Sequence, residues 1–330
     1  MRTKGKVRFT ESFRELGLLI FMGVLIAAVQ ARNPSFLTVQ NIRDLLANTA
    51  ILGILAVGMM MVILTRGIDL SIGATMAFSG MVTALTLSRL PGIHPFVSIL
   101  QGTAIGAAIG AVIGLLVAVW KVQPIIASLG MMNVVRGLTY IVSGGKWVSS
   151  YQMSTEFKRI ATGSFLGINL LVVIAIVIYA VFAWFINMTR TGRRVYAVGS
   201  NPEAAEISGI PRGRILWMVY AVMGALAGLA GVLWVSKFAS AQGDTAVGYE
   251  MSVIAACVLG GVSMAGGSGK VSGLILGTIL LGILNNALPL INVSPFWQQG
   301  IQGAVILAAV YTNVIVKRNT YRTALRARQI

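Results

Sequence analysis

Charge is scarce in this sequence, and negative charge scarcest. Only 11% of the 330 residues are charged, with 9 Asp and Glu against 26 Lys and Arg. A soluble domain carries about a quarter charged residues, so a water-soluble chain is excluded. The single cysteine, Cys257, rules out an intrachain disulfide and a cysteine metal cluster. The single histidine, His94, lies between Pro91 and Pro95 in an expected turn. A histidine-based triad or metal site within the membrane is therefore not expected. No serine sits in a nucleophile elbow, so no catalytic residue is expected. The first apolar run begins near Leu16 without a small-residue cleavage site after it, which does not read as a cleavable signal.

Apolar residues fill the space that charge leaves. They make up 56% of the chain, and the mean hydropathy is +0.84. A spanning helix needs about 20 mostly apolar residues. Such runs fall at 16–31, 47–65, 68–88, 96–120, 124–142, 166–187, 215–236, 248–264, 271–291 and 297–316. The expected fold is an all-α, polytopic membrane bundle of about ten helices, with residues 1–330 as one transmembrane domain.

The net charge of +17 does not point to nucleic acid, because the basic residues flank apolar runs. Arg2, Lys4, Lys6, Arg8 and Arg14 precede the first run; Lys317, Arg318, Arg322, Arg326 and Arg328 follow the last. The loop 188–214 carries Arg190, Arg193, Arg194, Arg212 and Arg214. With an even number of spans, all three clusters face the cytoplasm, as the positive-inside rule requires. Lys146, Lys158 and Arg159 run against this pattern, in an outer loop from Ser143 to Phe165 that is expected to hold a short packed helix.

Two packing signals stand inside the apolar runs. Gly102, Gly106, Gly110 and Gly114 recur every fourth residue, as do Gly224 with Gly228, and Gly273 with Gly277. Each set makes a smooth helix face that another backbone can approach. The order apolar, acid, apolar, serine, apolar occurs at Ile68-Asp69-Leu70-Ser71-Ile72 and again at Tyr249-Glu250-Met251-Ser252-Val253. It opens the third and eighth runs, as in an inverted repeat of two five-helix halves.

The stretch from Gly260 to Lys270 resembles a phosphate loop superficially. It has Met264 where the motif needs glycine and Val271 where it needs Ser or Thr. This chain is therefore not expected to bind ATP, and the stretch reads as a flexible turn.

The stretch from Gly199 to Pro211 reads as a short docking helix. Asn201 suits its N-cap and Pro202 its first position. Glu203 and Glu206 suit its first turn, Gly209 its stop. At about two turns it cannot stand alone; Ala204, Ala205 and Ile207 would supply an apolar surface.

Glu203, Ala204, Ala205 and Gly209 resemble the cytoplasmic Glu-Ala-Ala loop of ATP-binding-cassette importer permeases, although the Leu-Pro of that pattern's second half is missing. Ala56-Val57-Gly58-Met59, the run from Val62 to Ser71, Gly192-Arg193, the run from Tyr196 to Gly199, that from Ile254 to Gly261, and Leu284-Asn285-Asn286 look like the ribose and related monosaccharide permeases. The resemblance implies a permease subunit in a bacterial cytoplasmic membrane, coupled at residues 188–214 to a cytoplasmic ATPase that holds ATP and magnesium. It also implies a second permease copy or close homologue, an extracytoplasmic solute-binding protein and a monosaccharide-like solute. The rival reading, an ion-coupled carrier, needs charges near mid-membrane, and the spans are nearly free of them.

Polar groups inside the spans are the candidates for the solute path or gate. They are Asn133 and Arg136 on the fifth run, Asn285 and Asn286 on the ninth, and Gln298, Gln299 and Gln302 on the tenth. Amides facing lipid are costly. Asn133 and Arg136, three apart, should share a helix face.

Overall fold

The structure is a computed structural model. It describes residues 2–294 and, beyond them, 297–298, 300–301, 303–304, 307 and 311. Most of the tenth expected span, Gln299, Gln302 and the C-terminal basic cluster lie outside the described residues. Among those described, the helices are α1 (Arg2–Arg32), α2 (Val39–Leu64), α3 (Ile72–Arg89), α4 (Pro95–Ala118), α5 (Pro124–Ser143), α6 (Thr155–Thr162), α7 (Leu170–Met188), α8 (Arg190–Ser200), α9 (Pro202–Ile207), α10 (Arg212–Phe238), α11 (Tyr249–Leu259) and α12 (Val271–Leu290). One two-stranded hairpin, β1 (Ser164–Phe165) with β2 (Ile168–Asn169), precedes α7.

Helix α2 is the axis of the bundle. Thr38 caps its start by accepting from the Asn41 amide, and every residue from Ala50 to Leu64 is buried. A helix apolar all round can only be stable when surrounded; α7, α10, α11 and α12 surround it. The opposite condition holds at the rim. α4, α5 and α7 leave Leu100, Ile126 and Val181 more than half exposed, as helices bordered by lipid do. Among the described residues, seven helices are long and apolar enough to cross a membrane.

The glycine stripe on α4 meets the one on α10. A Cβ on Gly106 would stand 2.2 Å from the Gly224 carbonyl oxygen, one on Gly224 2.2 Å from the Gly106 oxygen, and one on Gly228 2.2 Å from the Gly102 oxygen. The stripes interlock, so backbone touches backbone. Gly277 of α12 faces α11 in the same way, 2.2 Å from the Ala256 oxygen.

Two expected spans are shorter than the sequence suggests. The eighth, 248–264, shrinks to α11. Its 11 residues rise about 16 Å, half of a bilayer core. It stops because Gly260 and Gly261 follow, the latter at φ +78°. The third, 68–88, starts helical only at Ile72, because Asp69 Oδ1 accepts from Ser71 N and Ser71 Oγ at 2.8 and 2.6 Å and holds the chain in a turn. The short helix expected between Ser143 and Phe165 is present as α6, capped by Ser154. It packs on α10, where Ser236 Oγ donates to the Phe157 oxygen at 2.7 Å.

Candidate functional site

The chain between α7 and α10 folds as the local signals predict. The Asn201 side chain accepts from Ala204 N at 3.0 Å, Pro202 opens α9, and Gly209 lies at φ +76°. The expected apolar surface is smaller, however. Ala205 is 4% exposed and turned into the protein, whereas Ile207 is 88% exposed. One turn of helix places Ala204 and Ile207 on one face and Ala205 well round from it. Glu203 and Ala204 are exposed with Ile207.

Sequence reasoning missed what holds this segment. Arg66, just past α2, donates from Nε to the Gly199 oxygen at 2.6 Å and from Nη2 to the Ser200 oxygen at 2.7 Å. These carbonyls end α8 and lead into α9. Arg66 does so from φ +66°, a left-handed conformation uncommon outside glycine. Gly199 has no room for a side chain; a Cβ there would stand 1.6 Å from the Leu64 oxygen. Tyr196 donates to the Gly269 oxygen at 2.8 Å, and burial raises its hydroxyl pKa above the ordinary tyrosine value, keeping that proton in place. The turn after α11 is not free either. Gly267 N donates to the Leu64 oxygen at 2.9 Å, and Ser263 N to the Ser268 oxygen at 2.8 Å. It is a pinned turn, because the end of α2 supplies a carbonyl acceptor. The ends of α2, α8 and α11 are thus one hydrogen-bonded unit beneath α9.

The candidate path residues divide between two places. Arg136 Nη1 donates to the Gly243 and Thr245 oxygens, both at 2.8 Å. It therefore clamps the loop between α10 and α11, with Glu250 and Asp244 near enough to act on its charge. Asn133 lies on the same helix but donates to its own helix, at the Leu129 oxygen, 3.0 Å away. Asn285 and Asn286 lie elsewhere, on a cleft of about 400 Å³ between α2, α10, α11 and α12. The cleft adds Asn41 and Asn48 from α2, Trp234 and Phe238 from α10, and Tyr249 from α11. Asn41 and Asn286 exchange amide hydrogen bonds in both directions at 2.9 Å. Gln298 donates to the Val293 oxygen at 3.0 Å. A signal for the missed residues was present: Asn41 and Asn48, seven apart, share one face in the first turns of α2.

These two places supply amides, aromatic rings and a clamped loop between α10 and α11, but no group of His, Cys, Asp or Glu able to hold a metal among the described residues. The model of the branched-chain amino acid transport system / permease component family matches residues 41–310. The chain belongs to that family. Its relatives include the ribose import permease protein of Escherichia coli (strain K12), 40% identical over 309 residues, which cover 93% of this permease and 96% of the relative. The ribose import permease protein of Bacillus subtilis (strain 168) is 39% identical over 92% of this permease and 94% of its own length. The L-arabinose ABC transporter permease protein of Azospirillum brasilense is 39% identical over 89% and 86%. No solved structure matches.

Proposed function

We propose that this chain is the membrane subunit of an importer that moves a monosaccharide, ribose-like in chemistry, across the bacterial cytoplasmic membrane with ATP hydrolysed by a partner ATPase. The observation that carries the reading is identity of about two residues in five with ribose and arabinose permeases along nine-tenths of the chain. The amide-rich cleft agrees with it. In this reading Glu203, Ala204, Ala205 and Gly209 dock on the ATPase, which holds the ATP and magnesium. The other partners are a second permease copy or homologue and an extracytoplasmic binding protein.

The same reading has about ten spans with both termini in the cytoplasm. Ser272 Oγ, at the start of α12, donates to Glu15 Oε1 at 2.8 Å. That contact supports placing the start of the first span at the same bundle end as the basic loop. Support for the inverted repeat comes from the two acid-and-serine motifs. They open α3 and α11, and those helix starts meet: a Cβ on Gly73 would stand 2.4 Å from the Ala246 oxygen and 3.0 Å from Glu250 Oε2.

The test is uptake of labelled ribose and arabinose into vesicles carrying the permease with its ATPase and binding protein. Uptake is expected to follow enclosed ATP and to survive collapse of the proton and sodium gradients. Uptake that follows a gradient without ATP would establish an ion-coupled carrier instead.

A further inference from the structure

We propose that the cleft between α2, α10, α11 and α12 is a binding station for one monosaccharide within the permease itself. The proposal rests on the sugar-import reading above and adds a site to it. A sugar presents hydroxyls around its rim, each both donor and acceptor, and patches of C–H on its faces. Its recognition calls for amides at the rim and an aromatic ring against a face. The cleft has both: the amides of Asn48, Asn285 and Asn286, and the rings of Trp234, Phe238 and Tyr249.

These groups are already set in place. The Trp234 ring lies 4.6 Å from that of Phe238, tilted by 45°, and 5.5 Å from that of Tyr249, edge-on at 79°. The three rings form a fixed corner. Asn286 is held by its reciprocal bonds with Asn41, and the Asn48 side-chain oxygen accepts from the Lys237 ammonium. A group locked in advance loses little entropy when solute arrives. The lining side chains are themselves uncharged, and the Lys237 ammonium beside them is already engaged by Asn48 and lies over the Phe238 ring, which leaves hydroxyl recognition to the amides. The volume of about 400 Å³ falls in the range of small-molecule sites.

Asn48 and Asn285 are exposed among the described residues, which makes them the positions at which to probe the cleft.

The native cysteine is buried, so an introduced one is the accessible thiol. Asn48→Cys, Asn285→Cys and, as a control at the same bundle end, Ser35→Cys would be made in the full-length permease in lipid nanodiscs. Each would be reacted with a water-soluble maleimide in the presence of ribose, arabinose or leucine. The sugar that the unsubstituted transporter takes up is expected to slow labelling of the Asn48→Cys and Asn285→Cys variants severalfold, with leucine inert and the control unaffected. Adding Trp234→Leu should abolish that protection without changing labelling in the absence of sugar. Equal labelling with and without a sugar that the transporter does take up would overturn the station and leave the import reading intact. Failure of the maleimide to reach either position would also overturn it. A transporter that takes up neither sugar would overturn the import reading and the station with it.

Discussion

At the scale of single residues, Gly209 and Arg66 mark what a sequence discloses and what it conceals. The stop at Gly209 was legible because a helix end is a local event: Asn201, Pro202 and Gly209 act on neighbours within a turn or two. Arg66 was not, because its acceptors lie 133 and 134 residues further along the chain. In the sequence it stands within the run from Val62 to Ser71 that resembles monosaccharide permeases, with nothing nearby to show what it binds. It ties the end of α2 to the segment that leads into α9, the segment proposed above to dock on the ATPase. Arg66→Met should therefore impair coupling rather than folding. Hydrogen bonds from a charged donor contribute about 1.5–3 kcal/mol each. Losing them should reduce ribose uptake by about tenfold or more, with ATPase activity retained but no longer stimulated by sugar-loaded binding protein. Arg66→Lys, which keeps charge without the fork, should recover only part of the loss. Unchanged uptake by Arg66→Met at equal membrane abundance would show that the clamp carries nothing.

At the scale of elements, the glycine stripes were visible in the sequence, but their partners were not. A repeat of four shows that a helix has a smooth face; it does not say which other helix lies on it. The structure pairs α4 with α10 and α11 with α12. The same limit explains why α11 read as a full span: its apolar run continues past Leu259, and only the glycine at φ +78° shows where the helix ends. Arg136 belongs here too. A lone cation in a span requires acceptors, but their identity as carbonyls of the α10–α11 loop depends on tertiary approach. The interlocked stripes make a graded prediction. Gly106→Val puts side-chain atoms where the Gly224 oxygen already stands, 2.2 Å from Cβ, so the helices must part. Overpacking of this kind costs about 1–3 kcal/mol or more. The variant should melt at clearly lower temperature in detergent, or fail to accumulate. Gly130→Ala, with nothing within 4 Å of its Cβ, should melt like the parent. Equal melting of both variants would mean that α4 and α10 do not touch through their glycines.

At the scale of the whole molecule, orientation is the property on which the functional reading turns, and three exposed positions test it together. Ile207 on α9 is 88% exposed. Arg66 ties the residues just before α9 to one end of the bundle. Tyr151 and Leu166, 88% and 87% exposed, lie at the other end, where Val148 pairs with Ala241. The positive-inside rule places the Arg190–Arg214 end in the cytoplasm, but Lys146, Lys158 and Arg159 weigh the other way. Charge counting is a sum over loops, so it cannot reveal that Lys158 is tied down: its ammonium donates to the Ser150 oxygen at 3.3 Å, within a folded cap around α6. A residue bound into a cap after folding need not obey the bias that sets topology during insertion. Ile207→Cys should therefore react with a membrane-impermeant maleimide only in inverted vesicles, and Tyr151→Cys and Leu166→Cys only in intact spheroplasts. Because Cys257 is buried, the parent should give little signal from either side. Ile207→Cys should also crosslink to the ATPase when the two subunits are made together, since its face is the apolar one left uncovered by this chain. Labelling of Ile207→Cys from outside would invert the molecule and remove any ATPase from α9. Labelling of all three from one side would mean that α7, which separates α6 from α9, does not cross the membrane. The expected pattern, two positions outside and one inside, is the one that lets solute enter at the α6 end and ATP act at the α9 end.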